Sequence, residues 1–164
     1  MSIAFRKATV KDAKPIQQLI EMYAAKGVLL PRPLWDIYSH IREFIVCENE
    51  RYETIGLCAL HVIWEDLAEL RSFCMIESYQ GKGIGKKLAE AAFNEGRALG
   101  VRRVFTLTYT PSIFERMGFR RIDKGELPQK VWADCIHCVK FPECDEIALI
   151  IDLWDGMMKI ERNR

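Results

Sequence analysis

The chain has no run of eighteen consecutive apolar residues, so no transmembrane helix is expected. It has no excess of charge either: 24 Lys and Arg stand against 23 Asp and Glu, a formal net charge of +1. That balance gives no support to nucleic acid or an anionic membrane as the main partner. The opening residues, MSIAFRKATVKDA, have no apolar core followed by a cleavage site, so a secretory signal is not expected. Six cysteines without such a signal point to reduced thiols and a cytoplasmic location. No repeat, low-complexity tract or long linker divides the 164 residues, and one domain spanning 1–164 is the expectation.

What is present reads as a mixed α+β order. Ile3–Ala8 forms a short first strand. Ile16, Leu19, Ile20 and Tyr23 repeat at i, i+3, i+4 and i+7, the stripe of an amphipathic helix that Gly27 stops. A second helical stripe follows Pro31–Pro33 at Leu34, Ile37, Tyr38 and Ile41. Phe44–Cys47, Thr54–Trp64 and Leu67–Ile76 are rich in strand formers. The polar turns between them are too short for parallel crossovers, so these three predict an antiparallel meander. A helix with Ile84, Leu88, Ala91, Ala92, Glu95 and Leu99 on one stripe ends at Gly100. A strand over Val101–Thr108, a short helix over Pro111–Met117 ended by Gly118, and strands over Phe119–Ile122 and Ile147–Leu153 complete the set. The sum is a mixed, mostly antiparallel central sheet flanked by helices on both faces.

Between the third meander strand and the long helix lies YQGKGIGKKL, residues 79–88. It fails the spacing of a P-loop, because Gln80 stands where the first glycine belongs and Lys87 replaces the hydroxyl residue. It also fails the dinucleotide fingerprint, which from Gly81 would end on Lys86. It does satisfy Q-x-x-G-x-G at Gln80, Gly83 and Gly85. Glycines admit close approach of an anion, and the free N–H groups at a helix start point toward it. Lys82 and Lys86 supply countercharge. An ordinary glycine-rich turn is the alternative.

In this setting the sequence resembles the GNAT acetyltransferase superfamily, whose coenzyme loop reads [QR]-x-x-G-x-[GA] between a strand and a helix; the later FERMGF, residues 114–119, is similar as well. The resemblance implies the GNAT fold and acetyl-CoA as cosubstrate, with the diphosphate held by Gln80, Gly81, Lys82, Gly83, Ile84, Gly85 and Lys86. It also implies that the strand before the loop splays from its neighbour, so that Phe73, Cys74 and Met75 pair with pantetheine as an added strand would. Many members place a tyrosine as general acid four residues before the GF pair; Phe114 stands there and cannot donate a proton. Thr108, Tyr109 and Ser112 are nearby substitutes, each also readable as a capping or packing residue.

Acetyl transfer needs an unprotonated amine, yet an amine with a pKa of about 8 or above is mostly protonated at neutral pH, so some group must take its proton. Strand alternation in AELRSF puts Glu69, Arg71 and Phe73 on one side and Leu70, Ser72 and Cys74 on the other. Glu69 and Arg71 then either pair with each other or face a wet cleft, with Glu69 as general base and Arg71 as a clamp on an anionic substrate.

Three segments, LLPRPLWDI, AELRS and FERMGFRRIDKGELPQKVWADC, together with the closing cysteine pattern from Cys135 to Glu146, resemble the short stand-alone bacterial N-acetylglutamate synthases. This implies transfer of acetyl to the α-amino group of L-glutamate, the first step of arginine biosynthesis. The partner is then a small amino acid, with no nucleic acid and no membrane, and a homodimer stays open. A dicarboxylate wants guanidinium forks, and Arg32, Arg71 and Lys130 are the candidates, each also readable as a surface cation. The alternatives are an acetyltransferase for another amine (amino acid, polyamine or protein N-terminus) and a non-catalytic acetyl-CoA sensor, which Phe114 favours. Cys135, Cys138 and Cys144 lack a second C-x2-C pair, and reduced thiols are the expectation over a metal site. Cys47, Cys58 and Cys74 read as small hydrophobes, and Trp35, Trp64, Trp132 and Trp154 as core or interface aromatics.

Overall fold

The computed structural model describes residues 2–128 and 143–154; Lys130, Trp132, Cys135, His137 and Cys138 lie outside them. Strand β1 (Ala4–Lys7) pairs antiparallel with β2 (Phe44–Glu48). Between them runs α1 (Ala13–Ala25), with Ile16, Leu19, Ile20 and Tyr23 all buried on one face, as their spacing requires. Gly27, at φ +71°, makes the left-handed turn beyond it. Arg6 locks this corner: its guanidinium donates to both oxygens of Asp12, at 2.8 and 2.9 Å, and to Glu48 at 3.2 Å. Those hydrogen bonds hold the Asp12 carboxyl below its usual pKa. Helix α2 (Leu34–Ser39) is shorter than its stripe suggests. Ile37 is buried, but Tyr38 is exposed and Ile41 falls in a following 3-10 turn, because six residues make less than two turns.

The expected meander is present: β2, β3 (Thr54–Trp64) and β4 (Leu67–Met75) pair antiparallel in sequence. Helix α3 (Ile84–Ala98) crosses over to β5 (Arg103–Thr108), which pairs parallel with β4. After α4 (Pro111–Glu115) come β6 (Arg120–Ile122) and β7 (Ile147–Asp152), both antiparallel. The seven-stranded sheet has the order β1-β2-β3-β4-β5-β7-β6. Helices α1 and α2 pack one face, and α3 and α4 the other, so the sheet is the shared wall of two cores. This is the mixed α+β architecture expected.

Two irregularities in β4 create the site. Its parallel ladder with β5 covers only Leu67–Glu69 against Arg103–Phe105, after which the strands part. At the parting point the buried Thr106 hydroxyl donates to the Leu70 carbonyl at 2.9 Å, satisfying the first acceptor without a strand partner. The second is a bulge against β3: Leu57 faces Cys74 and Ala59 faces Arg71, so Cys58 opposes both Ser72 and Phe73. Ser72 sits at φ +54°, a left-handed conformation uncommon for serine. The extra residue reverses the alternation beyond it. Phe73 therefore packs with the α3 core and Cys74 with the α1 core, the opposite of the expected faces, while Glu69 and Arg71 keep theirs.

Other expectations shift as well. Helix α3 buries Ile84, Leu88, Ala89, Ala92, Phe93 and Gly96, while Leu99 lies past its end and is 58% exposed. Gly96 recentres the face, because a Cβ there would come within 3.2 Å of Leu153. Trp154 donates from Nε1 to the Val101 carbonyl at 2.8 Å, but Trp35 and Trp64 are exposed rather than core. No described helix is long and apolar enough to cross a membrane.

Candidate active site

Where β4 and β5 part, a cleft of about 450 Å3 opens through the sheet. Phe73, Gly85 and Phe114 line it on the α3 side, Tyr23 and Val28 on the α1 side. Gly81, Gly83, Gly85, Lys86 and Gln80 stand at its mouth. Gly81 and Gly83 adopt φ +74° and +79°, with open space where a side chain would begin. Gly83 precedes the first residue of α3, and no side chain caps that end. The ladder of α3 starts with Lys87 N–H to Gly83 O at 3.3 Å, so the N–H groups before it have no intrahelical acceptor. With the helix dipole behind them, these donors have the geometry that suits an anion.

The side chains around that backbone divide into those that face the cleft and those that support it. Lys86 lines the mouth, whereas Lys82 lies over the Tyr79 ring at 5.7 Å, a cation–π contact outside the cleft lining. The Ile84 side chain is buried in the core, which leaves its N–H as the group it can offer. Gln80 both lines the cleft and supports it: its Nε2 donates to the Met75 carbonyl at 2.8 Å and to the Tyr23 hydroxyl at 3.2 Å. The Tyr23 hydroxyl donates to the same Met75 carbonyl. Ile76 N–H bonds Ile55 O on β3 at 2.8 Å, so alternation turns the Met75 N–H and C=O toward the open side. That carbonyl is doubly occupied, which leaves the N–H as the main-chain group Met75 has to offer on the open side. Burial pushes the Tyr23 hydroxyl pKa up and keeps it a donor. Tyr23 is a site residue the sequence hid, because its place in the α1 stripe reads as core alone.

Phe114 is buried and meets Phe73 and Phe119 edge-on, with ring centroids 5.6 and 5.5 Å away. An apolar wall thus stands where the resemblance places an acid. Of the substitutes, Thr108 lines the cleft beside Thr110; its Oγ1 accepts from Thr110 N–H at 2.9 Å, and the two hydroxyls lie 3.2 Å apart. Ser112 is exposed and does not line the cleft, and the Tyr109 hydroxyl is buried. Cys74 lines the cleft, and burial pushes its thiol pKa well up, so it stays protonated and unreactive. Burial also pushes Cys47 and Cys58 up, to about 11 and about 12. Among the described residues no group of three or more His, Cys, Asp or Glu is placed to hold a metal.

On the α1–α2 face, Arg71 Nε donates to Glu69 Oε2 at 2.7 Å, so these two are joined as an ion pair. Of the two alternatives for AELRSF, the structure has the mutual pair, partly exposed, on the face away from α3. Glu69 lies directly across the β3–β4 ladder from His61, whose Nδ1 is 2.7 Å from Glu43 Oε1. Arg32 is held between Pro31 and Pro33 with its guanidinium 4.9 Å over the Phe44 ring. Its Nε donates to Asp36 Oδ2 at 2.7 Å, while its Nη1 is buried with no partner among the described residues. Glu69, Arg71 and Arg32 do not line the cleft itself.

A family model described as "Acetyltransferase (GNAT) family" matches residues 14–119. The chain is 41% identical over 145 residues to an uncharacterised N-acetyltransferase of Chlorobaculum tepidum, covering 88% of this chain and 93% of that protein. It is 37% identical over 129 residues to an amino-acid acetyltransferase of Mycobacterium tuberculosis, covering 77% of this chain and 74% of the relative. Among solved structures, it is similar to the N-acetylglutamate synthase of Neisseria gonorrhoeae complexed with coenzyme A and N-acetyl-glutamate. The TM-score is 0.84 at 25% identity, over 93% of this chain and 35% of that one, so the chain spans about a third of the gonococcal protein.

Proposed function

This chain belongs to the acetyltransferase (GNAT) family, whose cosubstrate is acetyl-CoA, and from that premise we propose that it acetylates the α-amino group of L-glutamate. The observation that carries the reading is the parting of β4 from β5 directly above an uncapped helix start. The diphosphate of coenzyme A sits on the N–H groups between Gly81 and Lys86, and pantetheine runs into the cleft as an extra strand beside β4. The thioester carbonyl then meets main-chain N–H groups on the open edge, which stabilise the oxyanion as it forms. Phe73 and Phe114 exclude water from that end.

Glutamate arrives from the α1–α2 face as an ammonium. Glu69, directly or through a water, takes one proton; the amine nitrogen bonds to the carbonyl carbon, giving a tetrahedral oxyanion. The second N–H proton passes to water, and collapse of the oxyanion breaks the C–S bond, whose electron pair leaves with sulfur, giving N-acetylglutamate and a thiolate. With Phe114 unable to donate, the thiolate takes its proton from water held at the Thr108 and Thr110 hydroxyls. Arg32 and Arg71 answer the two carboxylates, and Lys130 is a further candidate. What supports Arg32 is a buried guanidinium nitrogen without a partner among the described residues, which is costly and which an anionic oxygen would satisfy. The names of the mycobacterial relative and of the gonococcal neighbour agree with this acceptor class.

A thiol-release assay with acetyl-CoA and a panel of amines tests the whole reading. Glutamate-dependent release is expected; release only with another amine would replace the acceptor, and binding without release would replace catalysis with sensing. The support of the loop is tested separately. Tyr23→Phe removes the hydroxyl shared by Gln80 and Met75, a loss of about 1 kcal/mol. The acetyl-CoA KM should rise about three- to tenfold with kcat within about twofold. An unchanged KM would mean the Tyr23–Gln80 contact does not shape the coenzyme site.

A further inference from the structure

Arg32 could reach the acceptor in many orientations if it stood alone, but its partners leave one. Asp36 Oδ2 takes the Nε proton at 2.7 Å, the ring of Phe44 covers one guanidinium face at 4.9 Å, and two prolines stiffen the backbone on either side. Asp36 is itself braced from behind. His40 Nδ1 lies 2.9 Å from Asp36 Oδ1 and 2.9 Å from the Asp36 carbonyl oxygen, so two acceptors meet at one ring nitrogen and fix the proton there. The His40 ring in turn stands edge-on to His61, with centroids 6.1 Å apart, and His61 is tied to Glu43.

The spacing matters as much as the contacts. Arg32, Asp36 and His40 follow one another at i, i+4 and i+8, so α2 carries Asp36 within reach of the loop before it and of the residue that ends it. A short helix with one buried residue would be a poor anchor for a substrate arginine on packing alone. The carboxylate supplies what the packing lacks. It also uses up the Nε edge of the guanidinium, which removes one of the two forks a carboxylate could otherwise grip.

We propose that Asp36, braced by His40, is a positioning residue that fixes the guanidinium of Arg32, a side chain that keeps 12% exposure, in the orientation from which it meets the acceptor carboxylate. This rests on the reading of Arg32 as an acceptor-binding residue. Asp36 touches neither substrate nor coenzyme, and its effect passes entirely through the arginine.

The test is a double-mutant cycle on the full chain with L-glutamate and acetyl-CoA. Asp36→Ala should raise the glutamate KM about tenfold, with the acetyl-CoA KM and kcat within about twofold. His40→Ala should raise the glutamate KM by a smaller factor, and His40→Gln, which keeps a donor for Asp36, should restore most of it. In the Arg32→Ala background, Asp36→Ala should have no further effect on KM, because the residue it positions is gone. Thermal melting guards against loss of fold, and Asp36→Asn, of the same volume, stands in if the alanine variant does not fold. Equal effects of Asp36→Ala with and without Arg32 would overturn the positioning role while leaving Arg32 on the acceptor. A glutamate KM unmoved by Arg32→Ala would overturn the acceptor reading of Arg32, and the positioning role with it.

Discussion

Glu69→Gln should lower kcat by roughly two to four orders of magnitude, the usual worth of a general base, with the acetyl-CoA KM within about twofold. The substitution is nearly isosteric. It keeps an oxygen that can accept from Arg71 Nε, now 2.7 Å from the carboxylate, and so keeps the local geometry. What it removes is the ability to hold the ammonium proton. The rival is that Glu69 exists only to neutralise Arg71, since two opposite charges beside each other on a central strand need no further reason. The two predict different kinetics. A structural partner, once lost, perturbs Arg71 and shows in the glutamate KM or the melting temperature, whereas a lost base shows in turnover at saturating glutamate. Single-turnover thiol release with excess enzyme separates them without depending on product release. Wild-type turnover in Glu69→Gln would remove the residue from the chemistry and leave water as the proton acceptor.

How much of this site the sequence displays depends on how local each feature is. The loop was legible because glycine spacing, a strand before it and a helix after it all lie within a few residues. The meander was legible because its turns are too short for anything else. The bulge was not. A serine at φ +54° carries no mark in the sequence, and it alone reverses the faces of Phe73 and Cys74. Gln80 was identified as a site residue by its place in the loop pattern, but its work is to hold the Met75 carbonyl, a contact that depends on where β4 ends. Lys82 and Tyr79 stand three residues apart, a spacing that permits their contact and that pattern matching to a phosphate loop overlooks. Asp36 and His40 carry the clearest missed signal. An arginine followed by Asp at i+4 and His at i+8 across a helix start is the spacing of a braced ion pair.

Gly83→Val should weaken coenzyme A binding at least about thirtyfold, combining backbone strain with loss of charge-assisted hydrogen bonds. Apart from its own neighbours along the chain, no atom of the described residues lies within 4 Å of where the new Cβ would stand, so a clash inside the protein is not the cause. The obstacle is the dihedral. Gly83 holds φ +79°, which a β-branched residue avoids at about 1–2 kcal/mol. To relieve it the chain must rotate at the very peptide that aims the first N–H groups of α3 at the anion. The open space around Gly83 is also the space a diphosphate would fill, so even a strained valine that kept the backbone would push the anion away. Gly85→Ala is the control. Its φ is not in the left-handed range, and its Cβ would meet Phe73 at an ordinary 3.6 Å, so the helix start should survive and binding should fall far less. Calorimetry with coenzyme A on both variants reads the difference directly, with melting curves to show that each is folded. If folded Gly83→Val bound coenzyme A as the parent does, the diphosphate would have to lie elsewhere, and the cleft between β4 and β5 would lose its claim to the thioester.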